Sequence, residues 1–280
     1  MKTRLYIIAV FSGLFLFACN NEKDEPKTRT DAVEEEVTET TENPICFSCM
    51  SIEQATDAYD YPLKPGSEAM KNASPSDKTA LNQIPNEVLK TMSTKGLVQS
   101  VLTFPTIFDW GFSNYSYYHG FLSLTEQITI FKELYGRSDA ATTLLETYKL
   151  FDPYACQGGT LTLQTMDMLI AQPEIYTKLS GKEVPELIEA TISKIESQPE
   201  VNEEGVLWWF GDDKLFLMGR VMYHAGYKPF IDAVDANECL TNYLEREDTS
   251  FMSSVNQFGG PEKFQEFFMT HAKAFLNQSK

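Results

Sequence analysis

The sequence predicts an all-α fold, on three observations. Apolar residues recur at three- and four-residue steps through most of the chain beyond residue 83. Period-two alternation with β-branched enrichment, the mark of a half-buried strand, is hardly present. Prolines stand at junctions between apolar helical runs, not inside them, where each would cost about 3 kcal/mol. A chain of 280 residues, 42% hydrophobic and 22% charged, is globular in composition and can bury a full core. Its formal charge of −17, from 23 basic and 40 acidic residues, argues against a nucleic-acid partner, because a phosphate backbone demands a basic face. It also argues against adhesion to anionic lipid through a polybasic patch.

The first element is a leader, residues 1–18. Lys2 and Arg4 make a short positive region, and Leu5 to Ala18 then run apolar apart from Ser12 and Gly13. Such a stretch reaches roughly 21 Å as a helix, short of a roughly 30 Å hydrocarbon core, so it reads as a signal peptide and not a membrane span. It ends in Leu16-Phe17-Ala18-Cys19, which resembles the lipobox of bacterial lipoproteins. The resemblance implies cleavage before Cys19, a diacylglycerol on its thiol and usually an acylated amine. Each buried CH₂ then adds about 0.8 kcal/mol to anchoring. Removing Lys2 and Arg4 with the leader moves the formal charge from −17 to −19. Asn20 stands where an Asp would be the usual inner-membrane retention signal in enterobacteria. The cluster Glu22, Asp24, Glu25 resembles the export signal of Bacteroidota surface lipoproteins, implying an outer-membrane address on the periplasmic or the surface face.

Residues 19–44 form an acidic tether. Between 20 and 44 stand nine Asp/Glu, three Lys/Arg, five Thr and two Pro, with Ala32, Val33 and Val37 the only aliphatic side chains besides the prolines. Such a segment cannot bury enough surface to offset chain entropy. Residues 45–83 read as loop-rich, with turn formers dense over Tyr59–Ser67 and again at Ser74-Pro75-Ser76-Asp77. Tyr59, Tyr61 and Leu63 suggest that part of this segment docks on the domain, since they would otherwise form an exposed apolar patch.

The helical domain runs over 84–280. Pro85 suits a first helical turn, with Val88, Leu89 and Met92 on one face, and Ser93 reads as a cap that restarts a helix through Val98, Val101 and Leu102. Further helices are expected over roughly 121–135, 138–150, 160–171, 183–197, 212–226 and 261–277. In the last, Phe264, Phe267, Phe268, His271, Phe275 and Leu276 share a face. Three corners repeat one arrangement, an apolar helix, a Pro and a second short apolar helix, at Pro105, Pro173 and Pro229, spaced by 68 and 56 residues. That pattern resembles armadillo and HEAT repeats, so the domain is either an irregular helical bundle or an armadillo/HEAT-like α-α superhelix.

Catalytic and metal patterns are missing. No HExxH, HxH or HxxxH joins His119, His224 and His271, and a lone His on an apolar helical face, as at 224 and 271, is usually a hydrogen-bonded core residue. No GxSxG occurs, Gly158-Gly159 and Gly259-Gly260 lack the Lys and the other glycines of a P-loop, and no acidic loop approaches an EF-hand. No metal and no cofactor is therefore expected. Cys46 and Cys49 have CxxC spacing, and with Cys156 and Cys239 they allow disulfides, free thiols, a CxxC staple, or metal or redox work, among which sequence does not choose.

The most suggestive surface feature is Gly205-Val206-Leu207-Trp208-Trp209-Phe210-Gly211-Asp212-Asp213. Trp208 and Trp209 beside Asp212 and Asp213 could form a sugar-stacking platform, extended by Trp110. The alternative has both Asp in a helix's first turn, where negative charge complements the dipole, and the aromatics filling a groove between helices. Adjacent Asp residues point apart, so the fixed carboxylate separation of a glycosidase is a poor match.

Three stretches, Tyr59–Gly66, Ile84–Thr94 and Glu133–Ala140, resemble uncharacterised Bacteroidota lipoproteins, a group with no assigned activity. The resemblance supports the address and carries over no catalytic residue. The expectation is a lipid-anchored envelope protein that binds protein or glycan. The alternatives are an envelope enzyme acting on glycan or peptide near Trp208–Asp213, and a mainly structural protein.

Overall fold

The computed structural model describes residues 54–107, 117–155, 158–198, 212–245 and 251–278. Among them are fifteen helices and no strand. The helices are α1 (Glu68–Asn72), α2 (Pro75–Leu81), α3 (Asn86–Leu89), α4 (Thr94–Leu102), α5 (Tyr117–Gln127), α6 (Thr129–Gly136), α7 (Ala140–Leu150) and α8 (Gly159–Ile170). They continue as α9 (Pro173–Tyr176), α10 (Glu183–Glu196), α11 (Asp212–His224), α12 (Lys228–Asp235), α13 (Glu238–Glu245), α14 (Phe251–Phe258) and α15 (Pro261–Gln278). The fold is all-α.

Local chemistry sets the boundaries. Ser93 caps α4 by accepting the Gly96 N–H, and the same device starts α1 at Ser67 and α2 at Ser74. The segment read as loop up to residue 83 therefore carries two short helices: Ser74-Pro75-Ser76-Asp77 is a cap followed by a proline at the first helical position, not a turn. Pro85 caps α3 from outside, with ψ at 139°, so that helix begins at Asn86. The stretch expected as one helix over 121–135 is two, broken at the extended Ile128. Gln83 explains how the break is tolerated. Its Nε2 donates to Gln127 O (2.8 Å), while its Oε1 accepts from Thr129 N (3.1 Å), covering a carbonyl at one helix end and an amide at the next.

Residues 55–63 lie across α4. Ala55 N donates to Gln99 Oε1 (2.8 Å), Tyr59 N to Ser100 Oγ (2.7 Å) and Tyr61 Oη to Ser100 O (2.9 Å). Asp57 accepts from the Ser93 amide and hydroxyl, which holds its carboxyl below the usual carboxylate range. Covered on this side and packed on α6, α7 and α8 on others, α4 buries eight of its nine residues.

The centre of the remaining core is α11, which packs on α8, α10, α12, α13 and α15. Residues 213–219 are all buried, as are Val221 and Met222, so this helix is enclosed on every side over about two turns before Arg220. On the far side α15 lays Phe264 and Phe268 against Tyr243, and Phe267 and His271 against Phe230, with ring centroids 4.7 to 5.9 Å apart in these pairs. Two of the three proline corners restart as helices, α9 at Pro173 and α12 beside Pro229. At Pro105 the chain continues as a turn to Ile107. Among the described residues no helix is long and apolar enough to cross a membrane.

Candidate binding cleft

Two polar assemblies interrupt this apolar interior. The first is an ionic cluster where α7, α8, α10 and α11 meet. Asp167, fully buried on α8, accepts a 2.7 Å hydrogen bond from Tyr148 Oη on α7, and its other oxygen lies 3.4 Å from Lys214 Nζ on α11. Lys194 on α10 donates to Phe151 O at 2.7 Å and stands 5.1 Å from the centre of the Tyr148 ring. Burial pushes the Asp167 carboxyl up, against the pull of Lys214, and pushes the Lys194 ammonium down. The named partners are internal, so this is a tie between four helices.

The second assembly opens to solvent. Arg220, Tyr223 and His224 are spaced i, i+3, i+4 and share one face of α11. Gly226, with φ at 75°, ends the helix just beyond them: Tyr227 N donates to Met222 O (3.2 Å) and Gly226 N to Tyr223 O (3.1 Å), a Schellman closure. These three residues line a cleft of about 240 Å³ together with Tyr176 of α9, Val234 of α12 and Thr241, Leu244 and Glu245 of α13.

Arg220 is held by its inner edge. Nη1 donates to Tyr118 Oη (2.9 Å) and to Ala171 O (3.1 Å), and the guanidinium stands 5.0 Å from the Phe216 ring, 5.6 Å from Tyr118 and 5.9 Å from Tyr176. Rings around a guanidinium supply cation–π attraction and fix its plane. Among the described residues no carboxylate pairs with it. The His224 ring leans on Tyr176 at 5.1 Å, and Tyr223, 40% exposed, donates to Asp235 Oδ1 at 3.0 Å, a bond that raises its phenol pKa. A cleft this small, below the roughly 300–1,000 Å³ typical of whole-ligand sites, accepts one ring or one side chain of a larger partner.

The residues singled out from sequence fall elsewhere. Trp110, Trp208 and Trp209, with Cys19, Cys46, Cys49 and Cys156, lie outside the described residues. Asp212 opens α11. Asp213, next to it, is only 2% exposed, inside the core at the first turn. Cys239 is a free thiol, half-buried, donating to Gln257 Oε1 at 3.1 Å. Of the two lone histidines on apolar faces, His224 is exposed on the cleft and His271 is packed among Phe230, Phe267 and Tyr227, where burial lowers its pKa. Among the described residues no group of three His, Cys, Asp or Glu could hold a metal ion. Sequence reasoning missed Arg220, although it is the one cation in the apolar run Leu215–Met222. It also missed Tyr176, Tyr223 and Glu245, which only the fold brings to it. Comparison with protein-family models, with characterised proteins and with solved structures finds no match.

Proposed function

We propose that the chain is a lipid-anchored protein of the bacterial cell envelope, held at the outer membrane through Cys19, that acts by binding a glycan or protein partner. The leader and the Leu16–Cys19 lipobox support the anchor, and the acidic tether over 19–44 supports a domain held away from the lipid. The observation that carries the binding role is the Arg220 cleft: a guanidinium fixed by rings and a carbonyl, open to solvent, with no carboxylate of its own among the described residues. Fixing a cation beforehand removes ordering cost from the encounter, which is how a small site contributes affinity.

The test is photocrosslinking on intact cells. A benzophenone side chain at position 223, on the cleft, should capture a discrete partner. The same group at position 150, exposed on α7, should not. Capture that is equal at the two positions contradicts a binding role for the cleft.

A further inference from the structure

We propose that the partner group seated in the Arg220 cleft is a uronic acid, a sugar ring bearing one carboxylate; this rests on the binding role assigned above and names its ligand. The cleft's one fixed cation is Arg220, whose Nη1 is taken by Tyr118 Oη and Ala171 O, leaving the remaining guanidinium N–H groups without a protein acceptor among the described residues. A planar guanidinium with one edge free is matched by a carboxylate, which accepts two parallel hydrogen bonds.

The other polar walls want the opposite. Tyr223 Oη spends its proton on Asp235 Oδ1, and Thr241 Oγ1 spends its own on Val234 O at 3.1 Å, so toward the cleft both oxygens can only accept. Glu245, exposed at the end of α13, is a third acceptor and makes no hydrogen bond or ion pair among the described residues. The ligand must therefore carry one anionic group and several O–H donors on a body small enough for about 240 Å³. An aspartate or glutamate side chain satisfies Arg220 but brings no O–H donor to Tyr223, Thr241 or Glu245. A neutral sugar satisfies the acceptors and leaves the guanidinium without its anion. A uronic acid meets both demands, with Tyr176 and the His224 ring available to its C–H face.

The experiment uses the full lipidated chain in nanodiscs, titrated calorimetrically with galacturonic acid, glucuronic acid, glucose and propionate, a carboxylate with no donor. One uronic acid at least should bind saturably, and glucose and propionate should each bind about tenfold or more weakly, the scale of one lost charged hydrogen bond. Arg220→Gln should weaken the uronate by about tenfold or more. Because Arg220 also joins Tyr118 to α8–α9, the exposed variants Glu245→Ala and His224→Ala serve as controls for folding. Each should weaken the uronate while leaving the circular dichroism unchanged. Glucose or propionate equal to the uronates, or affinity indifferent to Glu245→Ala and Arg220→Gln together, would overturn the assignment. If no uronate binds but position 223 still captures a discrete partner, the inference fails and the binding role survives; if position 223 captures nothing, both fail.

Discussion

Tyr148 Oη donates to Asp167 Oδ1 at 2.7 Å inside a core where both side chains are fully buried. The phenol and Lys214 are what make a carboxylate tolerable there, since a buried charge without partners costs several kcal/mol. Tyr148→Phe removes one of these partners and should cost about 1–3 kcal/mol. Asp167→Ala removes the buried carboxylate from beside the Lys214 ammonium and takes the acceptor from Tyr148 Oη, and should cost about 3–5 kcal/mol. Urea unfolding followed by circular dichroism measures both, and an Asp167→Ala loss smaller than that of Tyr148→Phe contradicts the cluster's role.

The same carboxylate should imprint a pH dependence. Burial raises the folded-state pKa of Asp167 above its unfolded value, so between the two the native chain binds more protons. Its contribution is fully present below the unfolded pKa and is lost as pH rises through the folded one. Asp167→Asn removes this titration. The stability difference between wild type and Asp167→Asn should therefore shift against the wild type as pH rises from the ordinary aspartate range toward neutrality. Urea midpoints at matched pH values check the sign, and a difference that moves the other way contradicts it.

Close packing of α11 makes Gly219 a sensitive position. A Cβ there would lie 2.6 Å from Leu244 Cδ2 and 2.7 Å from Phe268 Cε1, so these two packed side chains would have to give way. Overpacking of this kind costs about 1–3 kcal/mol. Gly219→Ala should lower the urea midpoint accordingly, and an unchanged midpoint would mean that the three helices are not in this contact.

What could be read from sequence was what neighbouring residues decide. Ser93 three residues before Gly96, Pro173 after Gln172, and the Phe ladder of α15 are local signals, and each marks an element the structure contains. Ser67 and Ser74 carry the same signal inside runs of turn formers, and sequence does not separate the two there because short caps and turns use the same residues. Helix α13 went unread because its apolar positions, Leu240, Tyr243 and Leu244, fill barely two turns. The cleft was beyond reach for another reason. Arg220 meets Tyr118, 102 residues away, and Gln83 bridges α5 and α6 from 44 to 46 residues back, pairings set by packing and not by spacing. A clue did exist: Asp167 and Arg220 are single charges in otherwise uncharged helical runs, and both prove to organise polar structure.

The anchor at Cys19 is tested most directly by mass spectrometry of the N-terminal peptide of the protein purified from native membranes. The account predicts a chain beginning at Cys19, residues 1–18 gone, with a diacylglycerol in thioether linkage to the sulfur, and a Cys19→Ala variant left uncleaved or released from the membrane fraction. A soluble chain that still begins at Met1, or one cleaved elsewhere with an unmodified Cys19, would contradict it.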